Sequence, residues 1–146
     1  MGRFDPEAEA TDLPHNRAVL ASLRQTAEPA RSEYRLGAFE QLTHPDVCER
    51  LDQLARGGRA VGAYGGCARA ARGGELYAIG MGTSSIALRL VDGPAREAVM
   101  ANGGRLAPGL GSDWVLADAW LSAMPRVAGT ELLAAWLEIA RLDADA

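Results

Sequence analysis

His44 and Cys48 stand four positions apart, so on a helix they would share one face. That pairing is half of a metal site or the core of a Cys–His nucleophile. A four-ligand site would need His15 and Cys67, the remaining histidine and cysteine, to converge on them. Spacing aligns neither. The favoured reading is structural, with His44 in a first helical turn and Cys48 as a small apolar residue. No metal, cofactor or catalytic residue is assigned, and two cysteines do not make a disulfide framework.

Gly80-Met81-Gly82-Thr83-Ser84-Ser85 invites a phosphate-loop reading. The dinucleotide fingerprint needs a third glycine where Ser85 stands, and a helix afterwards. A strand pattern follows instead, and the chain has no lysine for a P-loop. Ser112-Asp113 lacks an oriented histidine. The carboxylate pairs Glu7/Glu9 and Asp143/Asp145 lie near the chain ends, where they read as solvated charge.

A ligand pocket is the remaining possibility. Tyr64, Arg89 and Trp114 would contact a ligand, and Gly62, Gly65 and Gly66 would let it approach the backbone. The competing reading makes the aromatic residues core fillers and the glycines sites of sheet curvature.

The elements that must hold these residues follow from periodicity. Ile86, Leu88 and Leu90 alternate with Ser85, Ala87 and Arg89, which predicts a half-buried strand. Leu76 to Met81 is its neighbour, with Gly73-Gly74 as a two-residue hairpin turn before it. Residues 60–71 are small and Gly-rich, a weak strand pattern. Trp114 to Leu116 reads as a further strand. Helices are predicted over 12–27, 43–56 and from Asp92-Gly93-Pro94 through Met100. Thr43 and Asp46 fit a capping box for the second helix, and Asn102-Gly103-Gly104 ends the third. Thr130 is the expected cap of a last helix over 129–142, whose Leu132, Leu133, Trp136, Leu137, Ile139 and Ala140 form a broad apolar face. Residues 30–42 fit either a helix or a packed loop.

A length of 146 residues suits one domain. The expected organisation is a loose acidic leader over 1–11, then an α+β domain over 12–146. All 15 basic residues are arginine, yet the net charge is −4. An acidic chain without a basic block lacks the footprint of a nucleic-acid binder. The first residues carry no apolar signal core and no apolar run is long enough to span a membrane, so a cytoplasmic protein with no membrane contact is expected.

From Leu76 to Trp136 the order of pieces resembles the small bacterial YjbR/TfoX N-terminal-like domains. The matching residues are Leu76-Tyr77-Ala78-Ile79, Ala87-Leu88-Arg89-Leu90, Ala95-Arg96-Glu97-Ala98-Val99, Gly103-Gly104, Pro108-Gly109, Trp114-Val115 and the Leu132–Leu142 helix. The resemblance covers the C-terminal half and its motifs are structural. It implies a curved antiparallel sheet and a regulatory or DNA-associated role, but no catalytic residues. Where those domains carry a basic residue before the Trp, this chain has Asp113. That departure and the acidic balance argue against duplex binding, although Arg69, Arg72, Arg89 and Arg105 would make a local basic patch if brought together.

The expectation is therefore an α+β fold, an antiparallel sheet over 59–117 with N-terminal helices and a C-terminal helix packed on it. Ile79, Ile86, Leu88, Leu90, Val99, Trp114, Leu116, Leu133, Trp136 and Leu137 should form its core. The expected function is a non-catalytic interaction or regulatory module working through a protein partner or self-association. The alternative is a small-molecule binder or minor enzyme with a pocket between the sheet and the N-terminal helices.

Overall fold

The computed structural model describes residues 16–19, 45–63, 66–81, 84–107, 110–121 and 126–145. Six strands form one antiparallel sheet: β1 (Arg59–Ala63), β2 (Gly66–Ala70), β3 (Leu76–Met81), β4 (Ser85–Arg89), β5 (Arg105–Leu106) and β6 (Trp114–Asp118). Their spatial order is β1-β2-β3-β4-β6-β5, with every neighbouring pair antiparallel. Among the described residues α1 (Pro45–Leu54), α2 (Gly93–Ala101) and α3 (Arg126–Asp145) complete an α+β fold. Residues 16–19 are also helical.

All three helices pack on one face of the sheet. α1 contributes Val47, Leu51 and Leu54, and α3 contributes Leu133, Trp136, Leu137 and Ala140. They meet Ile86, Leu88, Leu90, Val115 and Ala117 from the strands. The opposite face is buried too. There Val61, Ala68, Leu76, Ile79, Ala87 and Trp114 pack with Val19, Ala107 and Leu110. The expected half-buried strand is thus corrected. β4 hides both faces, because Ala87 is as inaccessible as Leu88.

A bulge adjusts which residues reach the helices. Arg69 pairs with Ala78 but Ala70 pairs with Leu76, so Tyr77 and Ala78 together oppose Arg69. The extra residue breaks the alternation. Tyr77 consequently joins the helical face beside Ala78, while Leu76 goes to the other.

Three local predictions change. The β2–β3 turn is not a two-residue Gly73-Gly74 loop. Gly74 donates to Ala71 O and Ala71 donates to Glu75 O, which leaves Arg72, Gly73 and Gly74 in the loop. Gly74 takes the positive φ (95°) that a three-residue hairpin requires at its third position. Thr130 is not a cap, since α3 starts at Arg126 and the Thr130 hydroxyl instead accepts from Arg50 Nη2 at 3.3 Å. Leu116 is only partly buried, at the border of the second core. By contrast α2 begins as read: Asp92 caps it, accepting the Ala95 N–H at 2.8 Å, with Pro94 in the first turn. The proposed Thr43 cap, His15 and His44 lie outside the described residues, as do most of 12–27 and all of 30–42.

Candidate functional sites

The sheet register decides what the predicted ligand residues do. Arg89 and Trp114 are direct cross-strand partners of β4 and β6, so they share the face opposite the helices. Trp114 is buried in the second core. Arg89 lies 3.6 Å from Glu75, and its buried Nε has no hydrogen-bond partner. Tyr64, between β1 and β2 in the sequence, lies outside the described residues. Two of the three residues therefore meet, one as core and one as half of an ion pair.

Cys48 and Cys67 are joined by a disulfide, with Cα atoms 5.7 Å apart. The bond ties the first half of α1 to β2. This corrects the reading of Cys48 as merely a small apolar residue. Nothing in a separation of 19 residues signals the pairing; it follows from α1 lying across the helical face. Disulfides persist mainly in oxidising compartments, so the bond removes one support from the cytoplasmic expectation. Among the described residues no three His, Cys, Asp or Glu side chains gather as metal ligands. No described helix is long and apolar enough to cross a membrane.

The four arginines considered as a patch are dispersed. Arg69 reaches Asp52 (3.6 Å) and donates to Gly57 O (3.0 Å), whereas Arg89 faces Glu75 on the other side of the sheet. Arg105 sits on edge strand β5 and Arg72 in the β2–β3 turn.

A different group of arginines does converge. Arg56, Arg59, Arg72 and Arg141 line a cleft of about 500 Å³ with Gly57, Gly58, Ala71 and Asp145. Its walls are the α1–β1 connection, the β2–β3 turn and the last turns of α3. Gly58 takes a positive φ (73°) against the Ala70 carbonyl, and Gly57 lies under the Arg141 side chain, so a Cβ at either would collide. Arg141 donates from Nε and Nη2 to the two oxygens of Glu138 at 2.8 and 2.6 Å, a bidentate pair. Those bonds hold the Glu138 carboxyl below its ordinary range. Tyr77 borders this region, its hydroxyl donating to Gly57 O at 2.8 Å, and burial pushes its ionisation up. Sequence reading missed the group because its members come from three distant segments.

A second cluster pins the start of α3. Arg50 donates to Ala119 O at 3.0 Å and its guanidinium lies over the exposed Trp120 ring at 5.8 Å.

No family model matches the chain, and no curated protein or solved structure matches it.

Proposed function

We propose that this chain is a non-catalytic interaction module of the bacterial YjbR/TfoX N-terminal-like kind, acting through protein contacts, with a second copy of itself as partner. The supporting observation is the outer edge of β1. Among the described residues β1 has a strand on one side only. It is five residues long, Arg-Ala-Val-Gly-Ala, without the proline or lysine that commonly blunts an edge.

Backbone alternation says which groups such a partner would meet. Ala71 gives its N–H to Glu75, on the β3 side. Ala70 and Ala68 accordingly turn their polar groups toward Arg59 and Val61. Ala60 and Gly62 then present theirs outward. An antiparallel two-fold pair centred on Val61 would match Ala60 of one copy with Gly62 of the other. Arg59 would stand opposite Ala63, so like charges would not face each other. The opposite edge, β5, has only two residues and offers no comparable template.

Light scattering on the purified chain tests this reading. The expected result is a concentration-dependent dimer that Ala60→Pro, which deletes an outward N–H, converts to a folded monomer. A wild-type chain that stays monomeric at high micromolar concentration would defeat it. Duplex DNA is not a partner in this reading. A gel shift at physiological salt should stay flat, because the acidic chain lacks the extended basic face from which counterion release derives its affinity.

The small-molecule alternative has one observation in its favour, the buried Arg89 Nε without a hydrogen-bond partner beside Trp114. A thermal-shift screen of carboxylate metabolites, compared between wild type and Arg89→Gln, separates it from the dimer reading. A response lost in Arg89→Gln supports the pocket, and a flat screen removes it.

A further inference from the structure

We propose that the arginine cleft formed by Arg56, Arg59, Arg72 and Arg141 binds a small phosphorylated molecule, with Asp145 as a built-in competitor. The cleft volume, about 500 Å³, lies within the roughly 300–1,000 Å³ range of small-molecule sites. Its charge runs against the whole chain. Four guanidinium groups and a single carboxylate line it, in a protein of net charge −4. Glu138, which engages Arg141 from outside the lining, and the partial negative charge at the C-terminal end of α3 reduce that excess. Among the described residues they do not cancel it.

The commitments of three of these arginines differ. Arg141 is held by Glu138 and also donates from Nη1 to Asp145 Oδ2 at 2.9 Å. The side chains of Arg56 and Arg72 make no hydrogen bond or ion pair among the described residues, although the Arg56 guanidinium helps to hold the Glu138 carboxyl down, and both residues are exposed. Two guanidinium groups without a hydrogen-bond partner among the described residues, one from the α1–β1 connection and one from the β2–β3 turn, suit an anion of two or more charges, because each presents planar paired donors to phosphate oxygens.

Asp145 shows that the cleft already holds an oxyanion. One carboxylate oxygen accepts the backbone N–H of Arg72 at 2.8 Å, and the other accepts from Arg141. A backbone N–H paired with a guanidinium is a donor set that also fits a phosphoryl group. Asp145 therefore occupies part of the anion site and repels an incoming ligand. This proposal does not depend on dimerisation through β1.

Calorimetric titration with inorganic pyrophosphate, run at low and at physiological salt, tests it. The expected result is saturable one-site binding that weakens as salt rises. Replacing both exposed arginines, Arg56→Gln with Arg72→Gln, should weaken binding about tenfold or more while leaving the melting temperature in place, since exposed charges contribute little to stability. Asp145→Asn keeps an acceptor for the Arg72 N–H but removes the charge, so it should tighten binding several-fold, roughly the effect of deleting one nearby like charge. Absence of saturable binding in both wild type and Asp145→Asn would overturn the proposal. So would undiminished binding in the double arginine variant, or a response to a duplex oligonucleotide alone. Weaker binding in Asp145→Asn would overturn the competitor role.

Discussion

The two faces of the sheet are both dry but are built differently. On the helical face, long side chains such as Leu88, Leu133, Leu137 and Trp136 interdigitate, and the Cys48–Cys67 bond pins α1 onto β2. On the opposite face Val19, Val61, Leu76, Ile79, Leu110 and Trp114 pack with Ala68, Ala70, Ala87 and Ala107. The pin there is polar. Asn16, fully buried, donates through Nδ2 to Gly74 O at 2.8 Å and accepts the Leu76 N–H at 2.9 Å. Alanine is about as frequent in one cluster as in the other, but among the described residues the helical-face cluster gathers more than twice as many buried side chains, and apolar stabilisation scales with buried area. The helical face should therefore carry most of the stability, and the opposite face should be sensitive to added volume beside Ala87 and to loss of the Asn16 anchor.

The largest expected effect tests the first half of that contrast. Leu88→Ala should cost about 2–5 kcal/mol in urea unfolding, because its side chain is inaccessible among the helices. A loss below about half a kcal/mol would place Leu88 outside the dominant core. The cystine comes next. Reduction, or Cys48→Ala with Cys67→Ala, should lower stability by about 3 kcal/mol, the chain-entropy value for a loop of this length. Mass spectrometry after alkylation under denaturing, non-reducing conditions checks the bond itself, and two alkylated thiols would remove it from the account.

Two predictions address the opposite face. Ala87→Leu should destabilise by about 1–3 kcal/mol through overpacking, where a half-buried strand with that side in water would tolerate it. Asn16→Ala should cost about 2 kcal/mol by leaving the buried Leu76 N–H unpaired. If Asn16→Ala is neutral in chemical denaturation, the polar pin is not what secures this face.

The smallest effect concerns pH and belongs to the helical face. Burial raises the Tyr77 ionisation above its ordinary 10.0, with the neighbouring Arg69 opposing the shift. The folded protein then holds the phenolic proton more tightly than the unfolded chain. Stability from this group is intact below pH 10 and declines as pH rises above it. Tyr77→Phe should flatten that alkaline decline at a cost of about 1 kcal/mol near neutrality, from the lost bond to Gly57.

These contrasts mark how far the residues could be read in advance. The alternation through Ile86, Leu88 and Leu90 was legible because a strand's period is a local property, and so was the Asp92 cap, which involves only neighbouring residues. Ala87 gave no such sign. An alanine suits water or a second layer equally, and only the packing of Val19 and Trp114 against the sheet chooses. Tyr77 was assigned no face, because a bulge is defined by the partner strand and not by the strand that carries it.

The same division runs through the candidate sites. Residue order alone determined an α+β chain with an antiparallel sheet and a long closing helix, since periodicity, caps and turn residues act over a few positions. It also determined the arginine-only, acidic composition. Tertiary structure decided that Cys48 meets Cys67, that Arg89 stands beside Trp114, and that Arg56, Arg72, Arg141 and Asp145 line one cleft. Each of those meetings joins segments far apart in the chain. Their distances are set by how α1 and α3 lie across the helical face, a matter of packed shape that no local spacing encodes.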